Sequence, residues 1–354
     1  MTGLTWALDG GFALLLVVLV TRAMLTRDLF EAVVLFIAFG LTLSLAWVRL
    51  GAPDVALAEA ALGAGVTGAL FLNAFQRLAR ASADSDLPHA YLIDDEPGVR
   101  SLRLRAISVG TAAFLAAAFV GVLVGIPARE AVLAEAVNTS LPRTGLSNPV
   151  TAVLLSFRAY DTLFEVAVLV LATVTVWSLD REHTPFHQTP GPRGDPVLEG
   201  LTSLVVPVAG VTAVYLVWAG THAAGGAFQG GALLAGIGVL LAASGVIRPG
   251  AFGAPVIRVL GLMGLALFIG VGVVFMPWTG SLLTYPEGWD YAITLAVEGT
   301  LALSVAVILV ELFLDVPAAP EADPRFDRVD PTGDPLGRKL RWDSSRTRRP
   351  GEDG

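Results

Sequence analysis

Arg158, Asp161 and Glu165 are charged residues set within the apolar run 149–178, spaced i, i+3 and i+7, which on a continuous helix puts all three on one face. At ~1.5 Å rise per residue, Arg158 stands about 14 Å in from Pro149 and Glu165 about 10 Å further, beyond easy reach of headgroups if the run crosses a bilayer. A charge near mid-bilayer costs on the order of 2.5–3.5 kcal/mol on insertion scales, so such groups need partners and mark functional sites by default. The chemistry this spacing suggests is movement of a proton or a cation.

Three further groups could serve the same chemistry. The stretch Gly51-Ala52-Pro53-Asp54-Val55-Ala56-Leu57-Ala58-Glu59 opens an apolar run, with Pro53 near its first helical position and Asp54 in the first turn, where a carboxylate complements the helix macrodipole. Glu59 lies about two turns deeper and acts either as a hydrogen-bonding group between helices or as a proton or cation relay. Gly63, Gly65 and Gly68 follow it and offer a neighbouring helix a close approach. In Gly220-Thr221-His222-Ala223-Ala224-Gly225-Gly226-Ala227-Phe228-Gln229-Gly230-Gly231, the glycines allow a sharp re-entry into the membrane. His222 is there either a group titrating near neutral pH or an exposed or capping residue. Glu298 lies about two turns inside the last apolar run and either faces a polar interior or snorkels. Glu311 and Asp315, near the other end of that run, read as interface residues.

The elements that must position these groups are membrane helices. The chain has 354 residues, 54% of them hydrophobic and only 15% charged. About nine runs are long enough to span a ~30 Å hydrocarbon core as helices: 8–24, 28–48, 53–76, 106–126, 149–178, 199–219, 228–247, 256–276 and 291–314. The expected fold is all-α and polytopic. The first run lacks a basic leader and a small-residue cleavage site and is expected to be retained. Arginines sort strongly to alternate connections and to the tail after 315, leaving Arg49, Arg129 and Arg143 opposite, which implies an N-outside, C-inside orientation.

Three helical blocks emerge, with hydrophilic joints between them. They are a three-helix block 1–76, a charged cytoplasmic loop 77–104, a two-helix block 105–178, a Pro/Gly-rich linker 179–197, a four-helix block 198–315 and a disordered cytoplasmic tail 316–354. The chain contains no cysteine, which removes disulfides, thiolate metal sites and iron–sulfur ligation by this polypeptide. His183-x3-His187 falls in the Pro-rich linker, and two ligands do not close a tetrahedral zinc site. No metal, no cofactor and no nucleic-acid partner is expected.

The run from Gly51 to Phe71, followed by Asn148-Pro149-Val150-Thr151 with Phe157-Arg158-Ala159-Tyr160-Asp161-Thr162-Leu163-Phe164-Glu165, resembles two consecutive modules of multisubunit Mrp-type Na+/H+ antiporters. Such modules occur at the C-terminal end of the antiporter A subunit and as small separate subunits of membrane-bound hydrogenases. The block from Leu198 through the His222–Gly231 glycine motif to Glu298-Gly299 resembles the antiporter B subunit. The resemblance implies that Arg158 and Glu165 matter for antiport, that Glu59 is the intramembrane acid of the first module, and that His222, Gly225, Gly226, Gly230 and Gly231 carry the B-subunit motif. Two positions depart from the pattern: Phe164 stands where a glycine is expected, and Ala227 replaces a third glycine before Phe228.

The implied function is that of a membrane subunit, not an enzyme, of a monovalent cation/proton antiporter in a prokaryotic cell membrane. It would contribute Arg158, Asp161, Glu165, Glu59, His222 and Glu298 to an ion or proton path, with Gly63 and the B-motif glycines packing helices. The only lysine is Lys339 in the tail, and no long antiporter-like module is present, so a large antiporter-like subunit and other complex subunits are expected partners, with Na+ and H+ as the transported ions. Two rival readings stand beside this: a membrane-arm subunit of a hydrogenase or related redox complex, and a scaffold whose charges pair statically to fix helix register.

Overall fold

The computed structural model describes residues 3–84, 99–125, 132–179, 196–246, 254–286 and 288–314, and every regular element among them is helical. The chain is an all-α, polytopic membrane protein. Among the described residues, seven helices are long and apolar enough to cross a bilayer. The two other expected spans are also helices, with shorter apolar stretches at Val109–Val122 and Ala227–Ala243.

Helices α1 (Gly3–Leu25) and α2 (Leu29–Arg49) form an antiparallel hairpin. Asp28 caps α2 by accepting from the Phe30 and Glu31 N–H groups at 2.8 and 3.2 Å. Ion pairs clamp both ends of the hairpin: Arg22 with Glu31 at 3.0 Å, and Arg49 with Asp9 at 2.9 Å. The third span is not a uniform helix. A short α3 (Pro53–Ala58) passes into a π-helical segment, Glu59–Val66, before α4 (Thr67–Asp84). Thr67 Oγ1 donates to Leu62 O at 2.7 Å at the end of the widened turn. Close contact with α2 requires small residues here: a Cβ on Gly68 would lie 2.6 Å from Ile37 Cγ1, and one on Gly40 would lie 3.1 Å from Ala64 Cβ. The charged joint is narrower than the expected 77–104, because α4 runs to Asp84 and α5 (Val99–Gly125) starts at Val99.

After α6 (Val132–Ser140) and a 3-10 turn, Leu141–Thr144, Gly145 takes a left-handed conformation at φ 64° and delivers the chain to Asn148. Asn148 caps the next helix by accepting from Val150 N–H at 2.9 Å. The sequence implied one continuous helix over 149–178, and the structure corrects this. One turn of α7 (Pro149–Ala152) gives way to a π turn, Val153–Phe157; Arg158 leaves helical geometry at φ −133°, ψ 42°; and α8 (Ala159–Leu179) begins anew. Thr162 Oγ1 bridges the break by donating to Leu154 O at 2.8 Å, restoring a bond to a carbonyl the irregular turn releases.

The remaining helices are α9 (Pro196–Ala219), α10 (Ala227–Ala243), α11 (Ala254–Thr279) and α12 (Asp290–Leu314). Helix α12 is the axis of the molecule, 61% buried over its apolar window where α1 is 0% buried. Val297, Leu301, Val305 and Ile308 of α12 are almost fully enclosed, and Phe268 of α11 packs into the same core as Val297 and Leu301. The α11–α12 loop closes one end with Leu283 and Tyr285, both buried. Burial, and then the Asp290 carboxylate, push the Tyr285 phenol above its ordinary range. Residues 315–354, the His183 and His187 pair, Arg129 and Glu130 lie outside the described residues.

Candidate functional site

Helix starts from all three blocks converge at one end of the bundle. Asp54, in the first turn of α3, accepts on Oδ1 from Asn148 Nδ2 at 3.1 Å and from Gly225 N–H at 3.3 Å, while its main-chain carbonyl accepts from Gln229 Nε2 at 3.3 Å. Asn148 also donates to Ala223 O at 2.8 Å, and its own N–H and that of Ser147 donate to Thr221 O at 3.2 and 3.0 Å. Thr151 Oγ1 donates to Gly220 O at 2.5 Å. These bonds knit the starts of α3 and α7 to the loop between α9 and α10.

That loop is shaped by its glycines. Gly220 and Gly226 N–H groups both donate to Leu216 O, at 3.1 and 2.9 Å, which folds the loop back over the end of α9. A Cβ on Gly225 would collide with that same carbonyl, and Gly226 sits at φ +130°, where an L side chain is strained. Gly230 abuts α9, with a Cβ there 2.5 Å from Val217 Cγ2, and Gly231 abuts α12, with a Cβ there 2.8 Å from Ala302 O. Ala227, which breaks the expected glycine pattern, is a buried core residue at 7% exposure. Phe164, the other departure, is 64% exposed.

Behind the glycines lies Glu298. It is 4% exposed, and its Oε2 makes no hydrogen bond. The carboxylate rests against the glycine loop: a Cβ on Gly220 would sit 2.8 Å from Oε2, and one on Gly226 would sit 3.4 Å from Oε1. Asp54, Thr151, Thr162, Gln229 and Glu298 line a cavity of about 70 Å³ whose remaining wall is largely apolar. Among the described residues, no ion pair reaches Asp54 or Glu298.

The other sequence-derived residues lie apart from this cavity. Arg158 pairs with Asp161 at 2.8 Å, but both side chains are substantially exposed, at 69% and 40%. Glu165, one turn along α8, is exposed as well. Because Arg158 is outside helical geometry, the i, i+7 face expected for Arg158 and Glu165 does not form; Asp161 and Glu165 share a face of α8 as an i, i+4 pair. Glu59 begins the π segment and folds its carboxylate onto Gly63, where a Cβ would collide with it. Gly63 therefore makes room for Glu59, and helix approach falls to Gly68. His222 is exposed, edge-on to Trp218 at 4.3 Å, with Nδ1 3.0 Å from Thr221 Oγ1. It does not reach Glu298's cavity.

A second polar clasp fastens the opposite end of α12. Asn73 donates to Phe313 O at 2.7 Å, and Trp177 Nε1 donates to Glu311 Oε1 at 3.0 Å, with the Arg258 guanidinium 5.3 Å from the Trp177 ring. Glu311, expected only to mark the interface, is thus an internal acceptor. Among the described residues no cluster of three or more potential metal ligands occurs.

Sequence reasoning missed Asn148, Gln229 and Thr151, and it gave Asp54 only a local role. Gln229 was the available signal, an amide inside a helix otherwise composed of apolar residues. Asn148 read simply as the residue before Pro149.

Family models match the chain in order: the MbhD component of MBH over residues 14–80, the MbhE component of MBH over 99–192, and a domain related to the MnhB subunit of Na+/H+ antiporters over 197–317. No curated protein matches. Among solved structures, a chain of the Mrp complex from Dietzia sp. DQ12-45-1b is similar at TM-score 0.68 and 21% identity over 86% of this chain. This chain spans 34% of that one's length. A chain of the membrane-bound sulfane sulfur reductase, an archaeal respiratory membrane complex, is similar at TM-score 0.50 and 20% identity, with 60% of this chain and 97% of that chain covered. The chain thus carries MbhD-like, MbhE-like and MnhB-like modules fused in that order, as the resemblance to Mrp-type complexes led us to expect.

Proposed function

We propose that this protein is a subunit of a monovalent cation/proton antiporter in a prokaryotic cell membrane, where it contributes to the ion or proton path and fastens the complex together. The observation that carries the reading is the exposed Arg158–Asp161 ion pair at the start of α8, with exposed Glu165 one turn further along this helix, which is apolar enough to span a bilayer. Charges on such a face are tolerated against protein or water and not against lipid. The cluster therefore belongs to an interface with another subunit, a large antiporter-like one in this reading, and the broken backbone at Arg158 is the kind of irregularity that membrane proteins place beside cavities. Na+ and H+ are the ions moved; Glu59, His222 and Glu298 are the further path candidates. In this reading the chain is not itself an enzyme, and its three helical blocks sit in the membrane with the N-terminus outside and the C-terminus inside.

The membrane arm of a redox complex is the second reading, favoured by the similarity to a chain of a respiratory membrane complex. Affinity purification of the native complex through a tag on this chain, followed by reconstitution into vesicles, separates the two. A Na+ gradient imposed on the vesicles is expected to drive proton flux reported by a pH-sensitive dye, without any electron donor. Proton movement that requires an electron donor and acceptor would overturn antiport in favour of the redox reading.

A further inference from the structure

We propose that the cavity enclosed by Asp54, Thr151, Gln229 and Glu298 is a proton-holding site shared by the three modules, with the Glu298 carboxyl as the carrier and cavity water as the donor and acceptor. The proposal rests on the reading of the chain as part of a proton-moving complex and adds to it a site made of residues that no single module contains. Asp54 comes from the MbhD-like module, Thr151 from the MbhE-like module, and Gln229 and Glu298 from the MnhB-like module.

Two carboxyl groups facing one cavity differ sharply in their surroundings. Asp54 Oδ1 receives two N–H donors, from Asn148 and Gly225. Glu298 receives none; its Oε2 is enclosed, unpartnered and turned toward the glycine loop. A buried carboxylate with neither donor nor counter-ion is strongly penalised, and a neutral carboxylic acid removes the penalty while offering its O–H to water. Among the described residues, no cation lines the cavity. On the elements packed against α12, the described titratable groups are Tyr160, Asp161 and Glu165 on α8, Glu199 and Tyr215 on α9 and Arg258 on α11, and Glu59 lies on the π segment against α10. None of them lines the cavity, nor do Asp290, Tyr291 or Glu311 of α12 itself.

The ligand is a proton and not a metal cation because of oxygen supply. Hard cations held by protein take about six or more oxygens. Here the wall is largely apolar, formed by Val150, Leu154, Leu155, Phe228 and Leu301 between the few polar groups. The volume of about 70 Å³ exceeds several-fold the roughly 10–15 Å³ that one water requires, so the cavity admits water. Such a water can bond Glu298, Asp54 and the Gln229 amide together. In the proposed step a hydronium ion in the cavity gives its extra proton to the Glu298 carboxylate, leaving water and a neutral carboxyl; the reverse transfer returns that proton to a cavity water.

Infrared spectroscopy of the purified complex in vesicles, scanned over pH, tests this directly. The wild type is expected to show a protonated-carboxyl stretch that vanishes on alkalinisation, is absent in Glu298→Gln and persists in Glu165→Gln. Glu298→Asp should transfer the band to aspartate, so that it responds to isotopic labelling of aspartate instead of glutamate; this arm serves even if Glu298→Gln fails to assemble. A band unchanged in Glu298→Gln, or indifferent to both labels, would overturn the proposal. So would its removal by Na+ at constant pH, which would make the cavity a cation site. Na+-driven proton flux should fall about a hundredfold in assembled Glu298→Gln complexes, the lower range for loss of a positioned proton donor or acceptor. If the band behaves as expected while the wild-type complex shows no cation-driven flux, the antiport reading fails and the site stands.

Discussion

Asn148 Nδ2 donates to Asp54 Oδ1 at 3.1 Å, a bond between residues 94 positions apart that ties the MbhD-like module to the MbhE-like one. The same amide nitrogen reaches Ala223 O in the MnhB-like module, so one buried side chain touches all three. Its oxygen meanwhile caps α7. This residue has no freedom to spare.

Asn148→Ala is therefore expected to cost about 1 kcal/mol for the lost helix cap and about 1 kcal/mol for each hydrogen bond to a buried group. Thermal unfolding of the detergent-solubilised chain, followed by circular dichroism, measures the loss. Asn148→Asp keeps the cap but sets a second carboxylate against Asp54, and should destabilise further at neutral pH. Adding Asp54→Asn to it restores one donor and one acceptor across the junction and should recover stability. Purely additive effects in that double-mutant cycle would mean that the Asn148–Asp54 bond contributes nothing.

The glycine loop yields a second expectation. Gly226→Ala places a side chain at φ +130°, a conformation costing on the order of 1–3 kcal/mol for a non-glycine residue, and brings its Cβ to 3.2 Å from Gln229 Oε1. Gly231→Ala meets the Ala302 carbonyl at 2.8 Å, which is backbone and yields poorly, so overpacking of about 1–3 kcal/mol is expected there too. Gly236→Ala, which would meet nothing within 4 Å, is the internal control and should leave the melting temperature unchanged.

Much of this architecture is legible in the sequence because lipid imposes strong rules. A spanning segment must be helical and apolar, so the helices show in composition alone, from α2 to α12. What composition does not show is where a helix is irregular. The π segment at Glu59–Val66 and the break at Arg158 arise from packing against neighbours, and a periodicity argument that assumes a uniform helix placed Arg158 and Glu165 on a face that does not form. Asp54 misled for a related reason. A carboxylate in a first helical turn has a sufficient local explanation, and its tertiary partners, Asn148, Gly225 and Gln229, become apparent only once three distant helix starts are brought together. Glu298 stands out in the sequence because an acid inside an apolar run has no local explanation, and the structure buries it at 4% exposure.

Alternation of the spans requires the starts of α3 and α7 and the α9–α10 loop to share one membrane face, and their hydrogen bonds bring them together at one end of the bundle. In the proposed orientation, drawn from the arginine bias, that end lies outside. A fluorescent protein fused after residue 354 should fluoresce in the cytoplasm, and alkaline phosphatase fused at the same point should be inactive. Phosphatase activity there would reverse the orientation.

Glu165→Gln is the sharpest test of the exposed cluster. In the structure Arg158 already has Asp161 at 2.8 Å, so converting Glu165 to an amide leaves the arginine compensated and should not disturb assembly. The amide keeps the shape and part of the hydrogen bonding but cannot carry the charge. If Glu165 lies on an ion or proton path, Na+-driven proton flux in vesicles should be abolished while native gels show an intact complex. Asp161→Asn differs, because it removes the partner of Arg158. Where another subunit covers that face, leaving a buried charge unpaired costs about 3–5 kcal/mol, and the complex should dissociate. Exchanging the pair, Arg158→Asp with Asp161→Arg, restores an ion pair on the same face and should rescue assembly whether or not transport returns. Rescue of both assembly and flux would assign Arg158 and Asp161 a purely static part and leave Glu165 as the moving group. A fully active, assembled Glu165→Gln complex would remove the cluster from the path altogether.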